Sequence, residues 1–81
     1  MNTVKELLER IVKAMVDNPE QVEISEIDGQ HSTILELKVA KSDMGMVIGK
    51  KGRNAEAIRA ILMAASGKSR KRITLEILDE D

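Results

Sequence analysis

The sequence predicts a two-layer α+β domain, in which a three-stranded sheet is covered on one face by three helices in the order α-β-β-α-α-β. Three observations predict it. Apolar residues recur at helical spacing near the start of the chain and again past its centre. Two adjacent segments alternate apolar and polar residues and are joined by Asp28-Gly29, and one more alternating segment follows Gly67.

The first helix is expected from Thr3. Thr3-x-x-Glu6 is a capping-box pattern, whose hydroxyl and carboxylate satisfy backbone N–H groups that a first helical turn leaves without partners. Val4, Leu7, Leu8, Ile11, Val12, Met15 and Val16 form the apolar stripe, with Glu6, Glu9, Arg10 and Lys13 on the other side. Asp17-Asn18-Pro19 ends the helix, because the ring of a proline pushes the preceding residue out of helical geometry. The stripe is wide enough to spare part of itself for a partner, although core packing is its first use.

Gln21 to Ile27 alternates with Val22 and Ile24 on one face, but Glu26 then falls where an apolar residue is due, and Ile27 takes the opposite parity. A bulge or an early strand end is expected there. Asp28-Gly29 marks a tight turn into the second strand, where Thr33, Leu35, Leu37 and Val39 face one way and Ile34, Glu36 and Lys38 the other. His31, the one histidine, sits beside the turn with no cluster of Cys, His or carboxylate to join it, and reads as an exposed loop residue.

Ser42 is the expected cap of a short helix from Asp43 to about Ile48, which Gly49 ends. Arg53 and Asn54 open a longer helix that runs to Ser66. Its expected inward face is Ala55, Ile58, Ile61, Leu62 and Ala65, with Glu56, Arg59 and Met63 turned away, and its alanines allow a close approach to the sheet. Gly67 follows the helix end. Lys68-Ser69-Arg70-Lys71-Arg72 leads into the last strand, with Ile73, Leu75 and Ile77 inward, and Asp79-Glu80-Asp81 is a short acidic tail. The 81 residues are expected to form one domain, with its core at about 3–78.

Composition narrows the function. The chain has no cysteine, which removes disulfides, thiol chemistry and Cys-based zinc sites and fits a reducing compartment. Its charged start is unlike a signal peptide, and no apolar run approaches the roughly 18 residues that a membrane helix requires, so a cytoplasmic protein with no membrane contact is expected. There is no Phe, Tyr or Trp. Single-strand binders that stack bases on aromatic rings are therefore excluded, and any nucleic acid must be held through its backbone, by aliphatic packing and by base-edge hydrogen bonds. The net charge of −1 hides a segregation: from Lys38 to Arg72 ten basic residues against two acidic ones give +8, while the remainder carries −9. One positive face is expected, against the simpler reading of a solvated charged surface.

Residues 47–53, Val-Ile-Gly-Lys-Lys-Gly-Arg, are the most informative stretch. Gly49 and Gly52 let the backbone turn tightly and let another chain come close, because no Cβ is in the way. A helix that starts after Gly52 points free N–H groups and its positive dipole end at the same spot, and Lys50, Lys51 and Arg53 add charge. All of this suits a phosphate backbone, whereas the plainer reading is a glycine turn between two helices.

Placed between two helices of an α-β-β-α-α-β chain, Val47-Ile48-Gly49-Lys50-Lys51-Gly52 resembles the loop of a type II KH domain. Within that group the chain is similar to the small stand-alone KhpA-type RNA-binding proteins, through Asp17-Asn18-Pro19, Met44-Gly45 before Val47, and Gly52-Arg53 followed by Ala55 and Ile58. The resemblance covers essentially residues 3–78. It implies that Gly49, Lys50, Lys51 and Gly52 clamp the backbone of about four unpaired nucleotides, with Arg53 behind them and the bases lying against Ile48 and Val47. Lys38, Lys41 and the Lys68–Arg72 cluster are further candidates for phosphate contacts. Ala55 departs from the broader pattern, in which a larger aliphatic is common, and implies a shallower groove. The resemblance further implies no cofactor, an RNA chaperone linked to cell-wall synthesis and cell shape, a second KH protein of KhpB type as partner, and a homodimer as a further assembly.

Other classes compete. Gly45 to Lys50 superficially suggests a nucleotide-binding P-loop, but that motif needs four residues between its glycines and Ser or Thr after the lysine; here there are three, and Lys51 follows. With no catalytic constellation or metal-ligand spacing either, an enzyme is not expected. A protein-interaction module with a structural loop remains open, and so does single-stranded DNA, because the clamp holds a sugar-phosphate backbone common to both nucleic acids.

Overall fold

Helix α1 (Val4–Met15) forms where the apolar stripe lies, and its Leu8 and Val12 are wholly buried. The computed structural model of the chain describes residues 4–67 and 71–78. Thr3, Lys68, Ser69, Arg70 and the acidic tail, named above, lie outside the described residues. After α1 the chain makes a short 3-10 turn at Pro19–Gln21, then strands β1 (Glu23–Asp28) and β2 (Ser32–Lys38). A second 3-10 turn, Lys41–Asp43, leads into helix α2 (Met44–Ile48), and a third, Lys50–Gly52, joins it to helix α3 (Arg53–Ser66), before strand β3 (Arg72–Ile77). The order is the expected α-β-β-α-α-β, and the arrangement is that of a type II KH fold.

The sheet runs β1-β2-β3, with β1 antiparallel and β3 parallel to β2. A parallel neighbour needs a long crossover, and the α2–α3 segment is that crossover. One face of the sheet carries the core: Leu35, Leu37 and Val39 from β2 and its end, Leu75 from β3, Leu8, Val12 and Val16 from the first helix region, Val47 from α2, and Ile58 and Leu62 from α3. At about 25 cal/mol per Å2, each such fully buried Leu or Val contributes about 1.5–3 kcal/mol.

Several local expectations need correction. The β1–β2 ladder pairs residues one to one from Glu23↔Lys38 to Asp28↔Thr33, so there is no bulge at Glu26. Glu26 lies opposite buried Leu35 yet is exposed, because β1 is an edge strand and the helices do not cover that part of it. The strand also starts later than expected, since Gln21 belongs to the turn that Pro19 opens. The chain reverses at Gln30-His31, just past Asp28-Gly29, where the Gly29 N–H donates to the Ser32 carbonyl at 2.8 Å; His31 is exposed, as expected.

In α3 the buried positions are Ala55, Ile58, Leu62 and Ser66, a single line at spacings of three and four, while Ile61 is 45% exposed and Ala65 is also exposed. Residue 61 stands about 100° around the helix from residue 62, so a helix that touches the sheet along one line leaves it outside. Ala55 is 4% exposed and therefore sets how closely α3 approaches the core; it is no solvent-facing groove floor. Finally, Ser42 does not cap α2. The cap position is Asp43, whose side chain makes no bond to that helix and is turned elsewhere.

Candidate nucleic-acid interface

The Gly49–Gly52 connection holds every positive backbone φ among the described residues. Gly49 has φ 77° and ψ 169°, a conformation essentially reserved for glycine, and Gly52 has φ 75° and ψ 13°. Lys51 also sits in the left-handed region, at φ 58° and ψ 26°, which costs a residue with a Cβ about 1–2 kcal/mol. The turn is tied down by its own backbone, with the Gly49 N–H on the Gly45 carbonyl at 2.8 Å and the Gly52 N–H on the Gly49 carbonyl at 3.1 Å. Glycines were expected to permit this bend; the strained lysine between them was not.

Lys50, Lys51 and Arg53 are all exposed, and among the described residues no carboxylate pairs with them. Gly52 occupies the N-cap position of α3 and brings no side-chain bond to that helix. Among the described residues no capping side chain accepts from the first-turn N–H groups of α3, which lie beside three cations. The loop is a concentrated donor surface that no carboxylate among the described residues neutralises.

The apolar surface beside it differs from the expected one. Val47 is fully buried in the core and anchors α2 from below, so it cannot line a groove. Ile48 is 38% exposed and Met46 is 44% exposed, and these two supply the aliphatic surface next to the lysines. The exposure of Met46 was not legible, because nothing in its own residue type separates it from a core methionine.

The described basic residues do not all gather at one end of the sheet. Lys41 is exposed in the turn that enters α2. Lys38, at the end of β2, is partly buried and already has a partner within the fold. Arg72 pairs with Ser32 at the opposite end of β2, six residues from Lys38, or about 20 Å along the strand. Lys71 bonds to Asp28 at 2.7 Å, and Thr33 donates to the same carboxylate oxygen at 2.9 Å. The Lys71 hydrogen bond, followed by that of Thr33, holds the Asp28 carboxyl below its ordinary range. Arg59 donates to the Leu75 carbonyl at 3.2 Å and ties α3 to β3.

Asp43 is a support that the sequence concealed. It is 1% exposed, and its carboxylate accepts the Asp17 N–H at 3.2 Å, the Asn18 N–H at 3.0 Å and the Asn18 side-chain amide at 3.1 Å. These bonds satisfy a buried charge and fix the exit of α1 against the entry of α2. No local signal could have found this, since its partners are 25 and 26 residues away. Among the described residues no group of three or more His, Cys, Asp or Glu is placed to hold a metal ion, and no helix is long and apolar enough to cross a membrane.

Comparison with known proteins matches this chain to one family. The family model described as "KhpA/KhpB, KH domain" matches residues 5–77. The RNA-binding protein KhpA of Clostridium acetobutylicum is 55% identical over 75 residues, covering 93% of this chain and all of that protein (100%). The protein of the same name from Caldanaerobacter subterraneus subsp. tengcongensis is 56% identical over 73 residues, 90% of this chain and 97% of the relative. That of Borreliella burgdorferi is 51% identical over 74 residues, 91% and 90% of the two chains. With its sheet order, its two-helix crossover and its glycine-bounded lysine loop, the chain belongs to the KhpA/KhpB family of KH-domain proteins and is a KhpA-like member of it.

Proposed function

We propose that the chain is a non-enzymatic RNA-binding protein that grips short single-stranded RNA with Gly49, Lys50, Lys51, Gly52 and Arg53. The observation that carries this reading is the Lys50-Lys51 pair, exposed on a connection of left-handed backbone and unpaired among the described residues. Such a loop presents cations and first-turn N–H groups of α3 together, the donor set that a sugar-phosphate backbone needs. The bases would rest on Ile48 and Met46, with Lys41 as an outlying phosphate contact. The relatives are named RNA-binding proteins, which favours RNA over DNA. We further propose a cytoplasmic RNA chaperone that acts with a KhpB-like KH protein, or with a second copy of itself, in control of cell-wall synthesis and cell shape. Two linked grips lengthen the strand held and raise avidity without a new type of contact.

Titration of matched RNA and DNA oligonucleotides at several salt concentrations tests the binding. With about three to five phosphates neutralised at about 0.7 each, log K should fall with log salt at a slope of about −2 to −3.5. RNA should bind more tightly than DNA of the same sequence. Absence of binding at low salt, or affinity indifferent to salt, would sink the reading.

A further inference from the structure

Asn54 stands where α2, the loop and α3 meet. Its side-chain Nδ2 donates to the Met46 carbonyl at 2.7 Å. That carbonyl belongs to the last turn of α2, where acceptors have no helical partner of their own. Directly above, a Cβ built on Gly49 would lie 2.6 Å from Asn54 Cγ and 2.8 Å from both its Cβ and its backbone nitrogen. Gly49 thus rests on Asn54 with no room for a side chain between them. Helix α2 is five residues long, too short to persist without tertiary support. Asp43 secures the approach to it, and Asn54 meets it at the other end.

We infer that Asn54 is a positioning residue, which clasps the end of α2 to the start of α3 and holds the Gly49–Gly52 connection bent before any ligand arrives. Its consequence for affinity rests on the RNA reading above; the clasp itself does not. A loop already in its bound form loses less freedom when a strand docks, so the clasp strengthens binding without touching the strand.

Amide hydrogen exchange on the full chain, with Asn54→Ala and Asn54→Asp, tests it alongside RNA titration. The aspartate offers no donor to the Met46 carbonyl but suits the first turn of a helix, so the fold is kept if alanine proves too disruptive. Loss of one exposed hydrogen bond should speed exchange at Gly49 and Gly52 about fivefold in both variants, with Leu35 in the central strand unchanged. RNA affinity of Asn54→Ala should fall by about the same factor with its salt slope intact, and the substitution should add nothing in a Lys50→Asp, Lys51→Asp background. Loop exchange equal to wild type, or equal acceleration at Leu35, overturns the inference, whatever happens to RNA binding. Faster loop exchange in a protein that binds no RNA upholds the clasp and sinks the RNA reading instead.

Discussion

Two surface connections of this chain both contain glycine and a nearby lysine, and they treat them in opposite ways. In the Asp28–Ser32 hairpin no described residue has positive φ, and the lysine that reaches it, Lys71, is bonded to Asp28. Between α2 and α3, three of four residues are left-handed, and both lysines are exposed without a carboxylate partner among the described residues. A hairpin that only reverses the chain settles into relaxed geometry with its charge neutralised. A connection that stores strain and leaves like charges side by side is less stable than it could be, and such places cluster where a ligand completes the structure. The contrast sets the connection proposed to grip RNA apart from a plain chain reversal.

The contrast can be broken by substitution. The largest effect belongs to Gly49→Ala, which combines backbone strain with a collision against Asn54; stability should fall by about 3 kcal/mol, read by denaturant unfolding. Reversing both loop lysines with Lys50→Asp plus Lys51→Asp should weaken RNA binding about thirty- to hundredfold with melting temperature little changed, since both side chains are exposed. Lys71→Ala should leave RNA affinity near wild type in the same assay. Equal affinity in the loop double variant would point to a protein-interaction module.

Smaller effects sharpen the comparison. At Gly52 a new Cβ meets nothing within 4 Å, so Gly52→Ala should cost only the left-handed strain, about 1 kcal/mol. Lys51→Asn should do the reverse, gaining about 0.5 kcal/mol because asparagine tolerates this conformation, while RNA affinity drops. A variant both more stable and a weaker binder would mark Lys51 as strained for function. The least effect is at the hairpin. The Asp28 carboxyl is held below its ordinary 3.8, so its link to Lys71 contributes fully above that pH and is lost as pH falls through the lower folded value. Thermal unfolding between pH 5 and pH 2 should therefore show a slightly shallower acid loss in Asp28→Asn than in wild type, and parallel curves would remove the link from the account.

The amino-acid sequence by itself determined the element order, the face of β2 and the place of a glycine-bounded lysine connection between two helices. Alternation of Thr33, Leu35, Leu37 and Val39, the helical stripe of α1, and Gly49-Lys-Lys-Gly52 between two helical patterns are local signals, because strand and helix periods and glycine's freedom act within a few residues. Only the tertiary structure decided which side chains of those elements meet water. Val47 and Met46 are neighbours of similar polarity in α2, yet one is in the core and the other on the surface. Ile61 looks inward by pattern and is outside, Glu26 breaks the alternation without bending its strand, and the basic segment spreads to both ends of the sheet. Asp43 and Asn54, which fix the loop's two approaches, were illegible for the same reason. Their partners are set by how α1, α2 and α3 pack across the sheet, and packing at a distance leaves no trace in the spacing of nearby residues.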